Sequence, residues 1–277
     1  ENDMSLTTKP LSPGLGVEIQ GLDMSQPLDE KTRDEILANF YEHVALLFRG
    51  QSMTVEQQNR FTTTFGEIGK RTVGPRLRIS ADDIYTTPVM VVSNIREDGK
   101  PMKGASANGD AEMGFHQDTA FHEIPDAVTI LYGIEVSTHG GHTMVTNQYA
   151  AYNNVPADLQ RKLEGRHVLQ VYDYQRHRVD PDIDLSGARY HVQPIFITHP
   201  VTGRKALYVN RMMSVRIEDM VQDESNAILD DLFDIAEDPN VRYEHTWEVG
   251  DLLMWDNFCS IHARTFYPDN ERRLLRR

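Results

Sequence analysis

Apolar residues along this chain recur with two periods. Leu28, Ile36, Leu37 and Phe40 fall at helical spacing up to His43, and the unbroken apolar run 44–48 follows as a buried strand. Thr54-Val55-Glu56-Gln57 has the form of a capping box, which predicts a second helix from Thr54 to near Gly66. Beyond it strand-like runs dominate, at 89–95, 128–136, 143–146, 168–172, 195–198, 206–209, 252–255 and 261–266. Gly140-Gly141, Pro200-Val201-Thr202-Gly203 and Gly250-Asp251 mark turns between them. Two further helices are expected at 156–163 and 224–236, the second with Ile228, Leu229, Leu232 and Phe233 on one face. Many antiparallel strands with helices pushed to the flanks predict a mainly β fold, a jelly roll or related sandwich.

A length of 277 residues with 39% hydrophobic content suits one substantial core, and no repeat or linker divides it, so a single domain over 1–277 is expected. Three long polar stretches, 70–88, 96–112 and 173–193, are rich in Gly, Pro, Asp or Arg and are expected to be lids. The net charge of −14 argues against a nucleic-acid partner and against docking on an anionic membrane. No run reaches the 18 or so apolar residues of a membrane span, and no basic-then-apolar signal opens the chain. A single cysteine, Cys259, excludes an intramolecular disulfide and fits a reducing cytoplasm. Chemistry on a small molecule, by a monomer or a homo-oligomer, is what these observations leave open.

Among the 11 histidines one alone begins a His-x-Asp/Glu, in His116-Gln117-Asp118. Chance would supply about one or two such tripeptides, so the spacing alone decides little. Its context adds weight, because Phe115, Thr119, Ala120 and Phe121 suit a strand, and positions i and i+2 of a strand reach one ion from one face. Two histidines and a carboxylate would leave about three positions open on a non-haem iron. His262, after Trp255-Asp256-Asn257, is the best third ligand, although taken singly it also serves as a core histidine. His122, His139, His142 and His199 fall at turns or strand ends, and His122 is expected to be supporting or structural. Arg273 suits a distal carboxylate, because a planar guanidinium pairs both oxygens. Alternation places Arg273, Leu275 and Arg277 on one face, while a solvated basic tail accounts for Arg272 and Arg276.

Taken in order, these residues resemble the taurine dioxygenase and chlorophenoxyacetate dioxygenase family of iron(II)/2-oxoglutarate enzymes. The likeness runs from Leu15-Gly16-Val17-Glu18-Ile19-Gln20-Gly21-Leu22-Asp23 through Phe65-Gly66-Glu67, His116–Phe121, Gly140-Gly141-His142-Thr143 and Ala150-Ala151-Tyr152. It continues through His199-Pro200-Val201-Thr202-Gly203-Arg204, Gly250-Asp251 and Trp255-Asp256-Asn257 to His262 and Arg273. The resemblance implies a double-stranded β-helix, a cupin-like jelly roll, with Fe(II) as cofactor and 2-oxoglutarate and O2 as co-substrates. It implies His116, Asp118 and His262 as iron ligands and Thr143 and Arg273 as contacts of the 2-oxoglutarate carboxylate. Arg277 matches a position that meets an anionic substrate or the co-substrate. The implied reaction oxidises a C–H bond and releases succinate and CO2, and next to a heteroatom it cleaves C–S or C–O bonds. A carboxylate at position 118 favours hydroxylation over halogenation.

The departures bear on the substrate. His142 replaces the usual aspartate of the Gly-Gly-x-Thr turn, Phe258 follows Trp-Asp-Asn, Glu112 stands where an asparagine is usual, and Arg71 aligns with a histidine. Glu112, Arg71 and Arg277 are therefore the substrate candidates. Arg277 also falls short of the family's usual end, and a further segment is expected beyond it. Arg71, Arg277, Arg176, Arg178 and Arg189 suggest an anionic substrate, unless the last three balance Asp173, Asp180, Asp182 and Asp184. Three alternatives remain: desaturation or decarboxylation of a biosynthetic intermediate, a zinc or manganese barrel for isomerisation or hydrolysis, and a non-catalytic barrel that binds a small acid.

Overall fold

A computed structural model describes residues 6–69, 89–95, 99–100, 112–172 and 184–277. Arg71, Arg176, Arg178 and most of the three expected lid stretches lie outside them. The chain opens with a hairpin, β1 (Thr7–Ser12) and β2 (Leu15–Gln20), followed by α1 (Glu30–His43), β3 (Ala45–Phe48) and α2 (Val55–Thr62). Then come β4 (Val91–Ser93), β5 (Met113–His116), β6 (Val128–Glu135), β7 (Thr143–Asn147), α3 (Gln148–Asn154) and α4 (Ala157–Leu163). Next are β8 (His167–Val171), β9 (Tyr190–Pro194), β10 (Phe196–Thr198), β11 (Lys205–Leu207), β12 (Ser214–Ile217) and α5 (Gln222–Ala236). The last strands are β13 (Arg242–His245), β14 (Leu252–Asp256), β15 (Ser260–Arg264) and β16 (Leu274–Arg276).

Seven strands form one sheet in the order β1-β2-β3-β14-β6-β16-β4, and four form a second in the order β13-β7-β15-β5. Their side chains interlock in a jelly roll, and the alternation along β14 shows how. Leu253 and Trp255 join Leu47, Leu131, Val145 and Leu275 in one cluster, with members from both sheets. Leu252 and Met254 join Ile36, Phe40 and Phe61 of α1 and α2 in another. Both faces of the strand are thus apolar, which is why it reads as an unbroken hydrophobic run. On β15, Ile261 and Ala263 pack in a cluster with Ile228, Leu229, Leu232 and Phe233 of α5. The pleat therefore turns His262 and Arg264 to the opposite face of β15.

The capping box at Thr54 forms as expected, with Gln57 reaching back to the Thr54 amide. Two expectations fail. The strand expected through Phe121 stops at His116, because Thr119 adopts φ 54° and its hydroxyl accepts from the Asp126 amide at 2.7 Å, folding the chain into a turn. His122 is therefore not on a strand and its side chain is exposed. The C-terminal arginines are not all solvated either. Arg276 is 7% exposed, bonds the Met53 carbonyl at 2.5 Å and lies 4.7 Å from the centre of the Tyr132 ring. Residues 190–193 of the third expected lid pair with β8 as part of β9.

Candidate active site

His262 and His116 are register partners on the antiparallel strands β15 and β5. Their rings stand 4.2 Å apart, centre to centre, and the Trp255 ring lies 4.6 Å from that of His262. Asp118, in the turn just past β5, brings its carboxylate beside both imidazoles. Its Oδ1 lies 3.8 Å from His116 Nε2 and its Oδ2 3.7 Å from His262 Nε2. Each residue offers one ligand atom, and these three atoms all lie within 4.8 Å of one another.

Electrostatics prepare these groups to donate electron pairs. His116 Nδ1 lies 2.9 Å from the Gly114 carbonyl, so Nδ1 carries the proton and the Nε2 lone pair points at Asp118. Burial holds the His116 pKa below the ordinary imidazole value, with the Arg277 and Arg264 guanidiniums opposing protonation further. Burial pushes His262 down more strongly, helped by His116 beside it. Both rings are therefore neutral at pH 7. Cis donors about 2.1 Å from one ion lie roughly 3.0 Å apart, so the three donor atoms, within 4.8 Å of one another, would draw together around a bound ion. Two neutral imidazoles and one carboxylate fit ferrous iron.

Asp118 is held from outside the triad. Thr129 Oγ1 donates to Asp118 Oδ2 at 2.5 Å and accepts from Asn257 Nδ2 at 2.8 Å. The Arg277 guanidinium also contacts Oδ2, so the structure brings this residue directly to the triad.

Arg273 lies just before β16, 2% exposed, with Nη2 donating to the Gly141 carbonyl at 3.2 Å. Among the described residues no carboxylate pairs with it, and burial lowers its pKa to about 9. Arg264 is also buried, and both guanidiniums lie over the Tyr267 ring, at 5.4 and 5.5 Å. Thr143, opposite Arg264 in the ladder, accepts from Trp247 Nε1 at 3.0 Å. Its own proton is left to donate, which is what a carboxylate needs. The glycines before it make room: a Cβ on Gly141 would sit 3.2 Å from Arg273 Nε, and one on Gly140 would collide with the Phe266 carbonyl oxygen at 2.0 Å. Asn94 fixes the Arg273 backbone by accepting from its amide at 2.9 Å, and donates from Nδ2 to the Glu271 carbonyl at 2.6 Å.

Of the substrate candidates, Glu112 is exposed just ahead of β5, and Arg71 is outside the described residues. Sequence reasoning missed Thr129, Asn94, Trp247 and Arg264. The Trp-Asp-Asn motif pointed toward Asn257 without revealing its target.

A second buried cluster, His199, Asp256 and Cys259, also brings potential metal donors within 4.8 Å. Its hydrogen bonds exclude that use. His199 Nδ1 accepts from the amides of Val201 and Thr202, both at 3.1 Å, so Nε2 carries the proton and donates to Asp256 at 2.8 Å. No ring lone pair remains for an ion. The couple instead anchors the turn between β14 and β15 that carries Asn257.

Comparison with known proteins gives a consistent picture. A sequence profile described as the taurine catabolism dioxygenase TauD, TfdA family matches residues 7–277. Pentalenolactone F synthase of Streptomyces arenae is 30% identical over 294 residues, spanning 99% of this chain and 94% of that one. The alpha-ketoglutarate-dependent 2,4-dichlorophenoxyacetate dioxygenase of Cupriavidus pinatubonensis is 29% identical over 282 residues, spanning 99% and 97%. Among solved structures, AAD-2 in complex with Mn(II) and N-oxalylglycine superposes with a TM-score of 0.82 at 26% identity, over 98% of this chain and 95% of that one. A taurine dioxygenase from Burkholderia xenovorans gives 0.79 at 28% identity, over 99% and 88%.

Proposed function

The chain belongs to the TauD, TfdA family and is an iron(II)- and 2-oxoglutarate-dependent dioxygenase acting on a small molecule, and from that premise we propose that His116, Asp118 and His262 are its iron ligands. The observation that carries this is the convergence of three buried donor atoms within 4.8 Å, two of them on neutral imidazoles. Bound iron supplies the redox chemistry by which 2-oxoglutarate and dioxygen become succinate and carbon dioxide while a substrate C–H becomes C–OH.

The chain's own residues supply orientation. Arg273 and Thr143 seat the distal carboxylate of 2-oxoglutarate, Arg273 by a paired fork and Thr143 by its hydroxyl proton. A buried guanidinium without an anion is costly, so a dicarboxylate gains from this pocket what a monocarboxylate does not. Trp247 holds the Thr143 hydroxyl in position, and the Gly140-Gly141 turn lets Arg273 lie against its backbone. Burial of the triad keeps bulk water from the reacting atoms.

Arg277 meets the acid group of a small anionic substrate, which 2,4-dichlorophenoxyacetate and taurine, named by two of the relatives, each carry. Its guanidinium touches the triad and has donors beyond the one on Asp118. With Glu112 and Arg71 it makes up the proposed substrate contacts. The whole chain acts as one domain, in the cytoplasm and without a nucleic-acid or membrane partner, in keeping with its charge of −14. Among the described residues no helix is long and apolar enough to cross a membrane.

The test is substrate-dependent succinate release across sulfonates, sulfate esters, aryloxy acids and amino-acid derivatives, alongside iron binding by His116→Ala. Wild type should release succinate with one class, and the variant should neither bind iron nor turn over. An iron-replete, active His116→Ala would sink the ligand assignment.

A further inference from the structure

We propose that Thr129 restricts Asp118 to coordination through a single oxygen, and so keeps open the position that co-substrate and dioxygen together require. The inference rests on the reading of Asp118 as an iron ligand.

Asp118 lies in a turn, past the end of β5, so no ladder fixes its side chain. Thr129 is the second residue of β6, in the other sheet, opposite Trp255 of β14, and it is 3% exposed. A hydroxyl has one proton. Because Asn257 Nδ2 donates to Thr129 Oγ1, the Thr129 proton is directed at Asp118 Oδ2. Asn257 is itself pinned beside β6 by its amide, which donates to the Ala127 carbonyl at 2.9 Å. The Arg277 guanidinium adds a second donor to the same oxygen. Oδ2, which lies 3.7 Å from His262 Nε2, is thus engaged by donors from two sides, while Oδ1 faces His116 Nε2 at 3.8 Å.

The number of open positions gives this bond its importance. In a six-coordinate site, two imidazoles and one carboxylate oxygen leave three positions, and a bidentate co-substrate plus dioxygen take three. Carboxylates also bind metals through both oxygens. An aspartate doing so would leave two, and one reactant would be displaced. A hydroxyl bonded to Oδ2 makes the second metal–oxygen contact compete with an existing buried hydrogen bond.

The experiment titrates Mn(II) into metal-free protein by calorimetry, then 2-oxoglutarate into the Mn(II)-loaded protein. It compares wild type, Thr129→Val, which removes the donor and keeps the branched shape, and Thr129→Ser, which keeps the donor. Thr129→Val should bind Mn(II) within about threefold of wild type and bind 2-oxoglutarate at least about tenfold more weakly, roughly 1.4 kcal/mol. Thr129→Ser should restore 2-oxoglutarate binding. Unchanged 2-oxoglutarate affinity in Thr129→Val would overturn the proposal. So would loss of Mn(II) binding in that variant, since Thr129 would then merely hold Asp118 in place. If Thr129→Val does not fold, Thr129→Ala against Thr129→Ser gives the same comparison. Asp118→Ala tests the underlying reading separately: Mn(II) affinity equal to wild type in that variant removes Asp118 as a ligand, whatever Thr129 does.

Discussion

Replacing Arg273 with methionine should separate stability from function. The guanidinium is buried, bonds only the Gly141 carbonyl among the described residues, and has its pKa lowered from 12.5 to about 9. At 1.36 kcal/mol per pKa unit, keeping it charged in the folded protein at pH 7 costs on the order of 5 kcal/mol, chiefly through burial. Methionine fills a similar channel without the charge, so the metal-free variant should be at least as stable as wild type. Its affinity for 2-oxoglutarate should collapse, because the distal carboxylate would enter a buried site without its paired charge. Breaking such a pair costs roughly 3–5 kcal/mol, or about two to three orders of magnitude in affinity. Urea unfolding of the metal-free proteins measures the first effect, and titration of 2-oxoglutarate into Mn(II)-loaded protein the second. A variant several kcal/mol less stable than wild type, or one that binds 2-oxoglutarate normally, would refute the reasoning.

Gly141→Ala should lose stability and co-substrate affinity together. Its φ of 68° strains an L-residue by roughly 1–2 kcal/mol, and the added Cβ presses on Arg273 Nε at 3.2 Å, so thermal unfolding and 2-oxoglutarate binding should both fall. Glu271→Gln should destabilise the protein above about pH 4.5 and become neutral near pH 2. Bonds from Ser137, then from His139 and the amides of Thr138 and His139, lower the Glu271 pKa from 4.5 to about 2. A lowered carboxylate pKa contributes stability above the unfolded value and loses it as pH falls through the folded one. Unfolding midpoints measured from pH 6 to pH 2 should therefore converge, and a constant gap between the two proteins would contradict the assignment.

The central strands of the two sheets were legible because their pleat turns apolar side chains to a core, as in 252–255 and 128–136, whereas β2 and β13 were not foreseen. β1 was not, since most of its residues are exposed and it is held by its hairpin partner instead of a core. Alternation put Arg273, Leu275 and Arg277 on one face of the last segment, but Arg276 read as part of a solvated tail because hydropathy assigns such an arginine to water. The fold instead buries Arg276 on a carbonyl and a tyrosine face, and Arg273 against the Gly141 carbonyl. The triad was legible from residue type and order, but not the turn that delivers Asp118, which depends on a left-handed threonine. Thr129 was invisible for a similar reason. A threonine inside an apolar strand reads as an ordinary β-former, and only the approach of the opposite sheet gives its hydroxyl a target.

The facing of His262 and His116 across β15 and β5 has a consequence for how long the protein survives. β5 has four residues and sits at one border of its sheet, and β15 comes from the far end of the chain. An ion gripped by both, as proposed above, would work as a rivet between segments far apart in sequence. It would bind the native chain and not the unravelled one, so each tenfold rise in free metal above the dissociation constant would add about 1.4 kcal/mol of resistance to unfolding. A cell short of iron would then hold fewer intact copies of this protein, beyond holding fewer active ones, because unriveted molecules open more often to proteases.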